Sequence, residues 1–106
     1  MISVVLPTYN RRHLIGETIQ SVVDQSYSTW ELIIIDDGSM DDSKAVVDKF
    51  NDDRIHYHAI DHCGILGKVR NAGMNYSKGD VIAFLDSDDL WLPHKLKFQL
   101  SLLKKY

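Results

Sequence analysis

Short apolar runs alternate along this chain with segments whose apolar residues recur every three or four positions. Three runs are continuous enough to predict buried strands: residues 2–6, 31–35 and 80–85. A segment with Ile55 and Tyr57 on one side predicts a further strand at residues 54–59. Three periodic segments predict helices: residues 11–25, 42–50 and 65–77.

Local signals predict where two of the helices begin. Asn10 is a suitable N-cap for the first helix, because its side chain can accept a hydrogen bond from an N–H of the first turn. Pro93 suits the first turn of a last helix, where a missing N–H costs nothing. That helix would direct Leu96, Leu100 and Leu103 inward.

Strands that alternate with helices predict an α/β fold, a Rossmann-like parallel sheet of about four strands with helices on both faces. The continuous apolar strands agree with this fold, because the strands of a parallel sheet are covered on both sides. The 106 residues are enough for one compact domain, residues 1–106.

Composition narrows the class of protein. The 12 basic and 15 acidic residues give a formal net charge of -3, which argues against a nucleic-acid binder with a broad basic surface. Cys63 is the single cysteine, so an intrachain disulfide is excluded and a reducing compartment fits best. The sequence shows neither a secretory signal nor the roughly 20 apolar residues that span a bilayer. We therefore predict a cytoplasmic protein. The sequence also allows a protein that acts at the cytoplasmic face of a membrane.

Polar clusters follow the three strongest strands. They are Pro7-Thr8-Tyr9-Asn10, Asp36-Asp37-Gly38-Ser39 and Asp86-Ser87-Asp88-Asp89. In open parallel sheets, ligands bind at the carboxyl ends of the strands, near the point where strand order reverses. We therefore expect the three clusters to converge on one crevice.

Carboxylates dominate two of these clusters. Crowded like charges raise one another's pKa or bind a cation, and a hard divalent ion with oxygen ligands is the natural partner. We expect five carboxylates near the crevice: Asp36, Asp37, Asp86, Asp88 and Asp89. The alternative is that these aspartates only cap helices and form turns.

The ordered set of motifs resembles the N-terminal part of family 2 glycosyltransferases, which have the GT-A fold. The resemblance covers almost the whole chain. It rests on the motifs Val4-Val5-Leu6-Pro7-Thr8-Tyr9-Asn10, Glu31-Leu32-Ile33-Ile34-Ile35-Asp36-Asp37-Gly38-Ser39, Arg70-Asn71-Ala72-Gly73 and Phe84-Leu85-Asp86-Ser87-Asp88-Asp89, followed by Trp91, Pro93 and Lys95.

The resemblance implies a nucleotide site at the ends of the first two strands. Pro7, Thr8 and Tyr9 would line the base pocket, and Asn10 would belong to the same nucleotide loop. Asp37 would accept a hydrogen bond from the base, as expected for the N3–H of uracil.

The resemblance also implies a diphosphate and metal site. Asp88 would bind Mn²⁺ or Mg²⁺ directly, and Asp86 would lie near the ribose or a metal-bound water. Arg70 would face the diphosphate or serve a structural role.

The implied reaction is transfer of a hexosyl group from a nucleotide-diphosphate sugar, most simply a UDP-sugar, to a hydroxyl of a saccharide or lipid-linked acceptor. It would invert the anomeric carbon and serve cell-envelope polysaccharide biosynthesis. The metal would neutralise charge on the leaving diphosphate, and a carboxylate base would deprotonate the acceptor. The family's domain is about twice this length, so we expect the catalytic base beyond Tyr106 and a chain truncated at its C-terminal end.

Two other functions remain open on the sequence. One is a non-catalytic nucleotide-binding or assembly module, for which exposed apolar area would predict a homodimer. The other is a Mg²⁺-dependent phosphotransfer domain, although the Asp-x-Asp motif follows the last strand here rather than the first. A metal site at His56 and His58 with His62 and Cys63 is less favoured than exposed strand histidines.

Overall fold

The computed structural model describes the backbone of residues 1–105 and the side chains of residues 1–101. Four strands and four helices alternate along the chain. The strands are β1 (Ile2–Thr8), β2 (Trp30–Asp36), β3 (Ile55–Ala59) and β4 (Val81–Phe84). The helices are α1 (Arg12–Val23), α2 (Ser43–Asp48), α3 (Leu66–Tyr76) and α4 (Lys95–Lys105).

All strand pairs are parallel, and the strand order is β3-β2-β1-β4. After β1 the chain builds β2 and β3 on one side, and it then crosses back to place β4 on the other side of β1. This reversal creates a switch point between β1 and β4. The predicted α/β fold with a four-stranded parallel sheet is confirmed.

Three helices cover one face of the sheet and bury the larger core. From α1, this core takes Ile15, Ile19 and Val22, and α2 and α4 contribute Val47 and Leu96. The even-numbered residues of β1 and β2 meet them: Ile2, Val4, Leu6, Trp30, Leu32 and Ile34. The predicted inward position of Leu96 is confirmed and Leu100 packs at the edge of this core, whereas Leu103 lies outside the described side chains.

Helix α3 covers the other face of the sheet. Val69 of α3 packs with Ile33 and Ile35 of β2. Gly73 lies directly over β1, so close that an added Cβ would lie 2.3 Å from a methyl carbon of Val5. Helices therefore occupy both faces, as predicted.

Two predicted helix starts are wrong. Arg11, not Asn10, precedes α1, and no side chain caps that helix. Asn10 instead adopts a left-handed conformation with φ of 51°, and its side chain is used elsewhere. Pro93 lies before α4, in the turn that leads to Lys95, and its carbonyl oxygen accepts a hydrogen bond from the Ser26 N–H.

The end of β1 explains why the sheet opens there. β4 pairs with β1 only as far as Val5 and Phe84, whereas β2 pairs with β1 through Thr8 and Asp36. Pro7 lies beyond the last β4 pair, at a position where a missing N–H leaves no ladder bond to β4 unmade. The last residues of β1 thus have a neighbouring strand on one side only.

Within the part of the chain that the structure describes, no helix is both long enough and apolar enough to cross a membrane.

Candidate functional site

A cleft with a volume of about 450 Å³ opens at the carboxyl ends of β1, β2 and β4. Each of the three predicted polar clusters contributes to its lining, through residues 7–9, Asp37 and residues 86–88. The cleft lies at the switch point of the sheet. The predicted convergence of the clusters on one crevice is therefore confirmed, while the ligand roles of the individual residues stay predictions.

Thr8 and Tyr9 form the floor and one wall of the cleft at the end of β1. Thr8 is 3% exposed, and its hydroxyl has no hydrogen-bond partner. Buried polar groups are nearly always paired, so this unpaired hydroxyl, in a residue of the cleft lining, is a candidate partner for a polar ligand atom. Tyr9 is 39% exposed and offers its ring to the same space.

Asn10 ties two loops together. Its N–H donates to the Ser39 hydroxyl at 2.9 Å, and its side-chain oxygen accepts from the Met40 N–H at 2.7 Å. Asn10 is absent from the cleft lining among the described residues. Its contacts show a role in holding the β1–α1 loop against the β2–α2 loop, and the predicted nucleotide contact stays untested.

The Asp37 carboxylate is buried beneath the loop that follows β3. It accepts hydrogen bonds from the N–H groups of Cys63, at 2.9 Å, and Gly64, at 3.0 Å. Burial opposes the charged form, but these N–H groups outweigh burial and hold the pKa of Asp37 below its ordinary value. Asp37 is therefore a charged acceptor that still borders the cleft.

Asp36, one of the five carboxylates expected near the crevice, is absent from the described cleft lining and makes structural hydrogen bonds. Its side chain accepts hydrogen bonds from the Ser39 N–H, at 2.8 Å, and from the Tyr57 hydroxyl. Burial and the Asp36 contact raise the pKa of Tyr57. Asp89 is also absent from the described cleft lining. Three of the five predicted carboxylates line the cleft: Asp37, Asp86 and Asp88.

The acidic turn after β4 comprises residues 86–88. Two exposed aspartates flank one buried residue in this turn. Ser87 is 9% exposed, and its carbonyl oxygen accepts a hydrogen bond from the Thr18 hydroxyl of α1 at 2.9 Å. Asp86 and Asp88 flank it, and both line the cleft. The predicted alternation therefore holds beyond the last residue of β4, because α1 anchors the middle residue.

Arg70 approaches the acidic turn from α3. Its guanidinium lies 3.6 Å from the Asp86 carboxylate and 5.1 Å from the centre of the Phe84 ring. Arg70 is not part of the described cleft lining. Two roles were predicted for Arg70, a diphosphate contact and a structural role. The geometry supports the structural role, since the guanidinium lies against Asp86.

The donor set of the cleft fits a divalent cation that shares its ligands with water and substrate. No group of three or more His, Cys, Asp or Glu side chains that could hold a metal lies among the described residues. The cleft instead offers the exposed carboxylates of Asp86 and Asp88. Mg²⁺ typically binds one or two carboxylates and completes its shell with water and substrate phosphates, so this pair fits such an ion.

Sequence reasoning missed His62 as a residue of the cleft. It lies in the loop after β3, and its imidazole stacks on Tyr9 with ring centres 4.4 Å apart. Arg11, Gly64, Leu66 and Val69 complete the missed lining. No motif marks His62, and only the position of β3 beside β2 brings its loop to the cleft.

Several other predicted positions have structural explanations. Trp91 is 8% exposed and packs in the larger core. His58 is half-buried and stacks on Tyr76 with ring centres 3.7 Å apart. Lys68 is exposed.

The fold and the cleft define an open α/β domain with a cleft at the switch point of a parallel sheet, the place where such sheets bind ligands. Glycosyl transferase family 2 is the family whose model matches residues 3–106. The chain belongs to this family, and the predicted resemblance is confirmed.

The relatives of this chain include two bacterial proteins. The Escherichia coli UDP-Glc:alpha-D-GlcNAc-diphosphoundecaprenol beta-1,3-glucosyltransferase WfgD is 39% identical over 99% of this chain and 42% of its own length. A putative teichuronic acid biosynthesis glycosyltransferase of Bacillus subtilis, TuaG, is 38% identical over 97% of this chain and 42% of its own length. The chain thus spans about two fifths of the length of these relatives.

Solved structures confirm the fold. Staphylococcus aureus TarS in complex with UDP-GlcNAc is similar with a TM-score of 0.93 and 29% identity, over 98% of this chain and 31% of that chain. A Pyrobaculum calidifontis mannosyltransferase in complex with GDP-Man and Mn²⁺ has a TM-score of 0.79 and 23% identity, over 85% of this chain and 28% of that chain. The second similarity concerns the fold alone.

Proposed function

We propose that this chain forms the donor site of a glycosyltransferase and binds a UDP-sugar together with Mn²⁺ or Mg²⁺. The observation that carries the proposal is the cleft in which the unpaired Thr8 hydroxyl, the charged Asp37 and the pair Asp86 and Asp88 meet. These groups suit a ligand with a hydrogen-bonding ring at one end and phosphates at the other.

The order of the strands separates the two ends of this ligand. Asp37 follows β2 and Asp86 follows β4, and these strands flank β1 on opposite sides. Two strand spacings amount to about 10 Å across the sheet. In this proposal the base lies at Tyr9 and Asp37, the diphosphate lies at Asp86 and Asp88, and the ribose lies between them over Thr8.

The relatives support the choice of donor. WfgD is named for a UDP-Glc donor, and TarS is complexed with UDP-GlcNAc. Both match over nearly the whole of this chain. The choice of a divalent cation rests on the carboxylates of Asp86 and Asp88 in the cleft.

Five cleft residues have a defined role in this proposal. Tyr9 stacks on the base, and Asp37 accepts the N3–H of uracil. The Thr8 hydroxyl, which lacks a partner in the protein, bonds to the nucleoside. Asp88 would hold the metal, Asp86 would hold the ribose or a metal-bound water, and a bound metal supplies charge neutralisation for the leaving diphosphate.

The remaining parts of the reaction are also proposals. Transfer proceeds with inversion to a hydroxyl of a saccharide or lipid-linked acceptor, in keeping with the diphosphoundecaprenol named for WfgD. We assign the catalytic base to a carboxylate beyond Tyr106 and the site of action to the cytoplasmic face of a membrane. Membership of the family argues against the phosphotransfer alternative.

One observation favours the assembly alternative. β4 is an edge strand of the described sheet, and Ile82 and Phe84 on its α3 side are 39% and 41% exposed. An exposed apolar sheet edge can pair with another chain. This alternative predicts a homodimer in light scattering, and it is compatible with the donor site because the cleft lies at the strand ends.

Titration of the chain with UDP and GDP, each with and without Mn²⁺, tests the proposed function. We expect UDP to bind, Mn²⁺ to tighten its binding, and GDP to bind more weakly because its larger base offers a different edge to Asp37. The proposal fails if a folded sample binds neither nucleotide in the presence of Mn²⁺.

A further inference from the structure

His62 stacks on Tyr9, and both side chains belong to residues of the cleft lining. The two rings are stacked at 4.4 Å with an angle of 24° between their planes. Both residues line the cleft at the end assigned above to the base. A flat ring of the protein itself therefore lies on Tyr9.

The same imidazole also presents an N–H to Asp37. Its Nδ1 atom lies 2.9 Å from the Asp37 carbonyl oxygen and 3.2 Å from the Asp37 carboxylate. Both neighbours are acceptors, so Nδ1 must carry the proton in the neutral ring. His62 thus stacks on Tyr9 and donates a ring N–H to Asp37 at once.

A uracil base bound as proposed would make this same pair of contacts. It would stack on Tyr9 and donate its N3–H to Asp37. We propose that His62 is a placeholder for the base. Its imidazole contacts Tyr9 and Asp37 until the nucleotide binds, and it then rotates away from them. This inference rests on the proposed nucleotide site.

The backbone at His62 is fixed, so the movement is confined to the side chain. The neighbouring N–H groups of Cys63 and Gly64 both bond to the Asp37 carboxylate. Gly38, with φ of 74°, approaches so closely that an added Cβ would lie 2.9 Å from the His62 Cβ and N atoms. The His62 side chain, in contrast, is 50% exposed and has solvent into which it can rotate.

A placeholder lowers the apparent affinity for the nucleotide. Only molecules in which His62 has left Tyr9 can bind the base, and the apparent dissociation constant equals the intrinsic constant divided by the fraction of such molecules. Removal of the imidazole abolishes this competition. The structure of the cleft thus predicts that a truncated side chain binds the nucleotide more tightly.

The test measures UDP binding with Mn²⁺ to the wild type, to His62→Ala and to His62→Phe. We expect His62→Ala to bind UDP roughly three- to tenfold more tightly than the wild type. His62→Phe keeps a ring but loses the N–H to Asp37, so we expect a smaller gain. It also serves as the deciding variant if circular dichroism shows that His62→Ala is unfolded.

Two controls separate the placeholder from other effects. His58 is a second histidine stacked on a tyrosine, Tyr76, outside the described cleft lining, so His58→Ala should leave UDP binding unchanged. Inorganic pyrophosphate with Mn²⁺ has no base, and His62→Ala should bind it as the wild type does.

The placeholder role is wrong if the wild type binds UDP and the folded His62 variants bind it equally well or more weakly. His62 would then either form part of the base pocket or have no role in binding. Absence of UDP binding in the wild type and in all variants would instead reject the nucleotide site itself, and the placeholder with it.

Discussion

The Thr18 hydroxyl of α1 donates a hydrogen bond to the carbonyl oxygen of Ser87, 69 residues later in the chain, at 2.9 Å. Both residues are buried. This bond fixes the middle of the acidic turn and thereby the positions of the carboxylates on either side. It connects the packing of α1 to the geometry of the proposed metal site.

Thr18→Val should therefore destabilise the protein and also weaken the metal-dependent part of nucleotide binding. The change keeps the side-chain shape but leaves a buried carbonyl oxygen unpaired, which costs about 1–3 kcal/mol. Urea denaturation and UDP titration with and without Mn²⁺ measure the two effects. Thr18→Ser keeps the hydroxyl and is the matched control. Equal UDP binding by Thr18→Val and wild type with Mn²⁺ would show that the turn needs no such anchor.

Thr8→Val should have opposite effects on stability and binding. The Thr8 hydroxyl is buried without a partner, so its removal should leave the free energy of unfolding unchanged or raise it. If the hydroxyl bonds to the nucleoside, UDP affinity should fall about fivefold, since a lost hydrogen bond is worth on the order of 1 kcal/mol. A Thr8→Val protein that is less stable and binds UDP normally would assign the hydroxyl to the fold instead.

Helix α3 contains two glycines with opposite expected responses to alanine. At Gly73 an added Cβ would lie 2.3 Å from Val5, whereas at Gly67 no atom lies within 4 Å. We expect Gly73→Ala to destabilise by about 1–3 kcal/mol through overpacking. Gly67→Ala should stabilise by roughly 0.5–1 kcal/mol, because alanine favours the helix. Denaturant midpoints give both values, and the double variant Val5→Ala with Gly73→Ala should recover stability if overpacking is the cause.

Glu31 makes the free energy of unfolding depend on pH in the acidic range. Burial opposes its charge, but hydrogen bonds from the Ser3 hydroxyl and the Lys78 N–H outweigh burial and lower the pKa of Glu31 below its ordinary value of 4.5. A lowered pKa in the folded state gives stability that is present above pH 4.5 and is lost as the pH falls through the folded-state value. Unfolding of wild type and Glu31→Gln should therefore differ most near neutral pH and converge under strong acid. A constant difference at all pH values would contradict this role of Glu31.

The sequence predicts the layers of this fold well, because most residues of β1 and β2 are apolar and such strands belong in the centre of a parallel sheet. The helix starts are less predictable. The Asn10 side chain is suited to cap a helix, but Asn10 instead forms hydrogen bonds to Ser39 and Met40. These bonds connect the two loops that border the cleft. Such long-range competition leaves no local pattern.

The site is predictable only in part for the same reason. Asp86 and Asp88 follow from alternation after a strand, and their cleft position is confirmed. Asp36 and Asp37 are adjacent and chemically identical, so only the fold shows that Asp36 bonds to Tyr57 while Asp37 borders the cleft. His62 could not be found from the sequence, because its position depends on a loop packed over Gly38.

The central claim is that Asp88 couples nucleotide binding to a divalent cation. Isothermal titration of UDP with and without Mn²⁺, in the wild type, in Asp88→Asn and in the control Asp89→Asn, tests it most directly. We predict that Mn²⁺ tightens UDP binding at least tenfold in the wild type and in Asp89→Asn, and that this gain is lost in Asp88→Asn. Retention of the full Mn²⁺ effect in folded Asp88→Asn would contradict the claim.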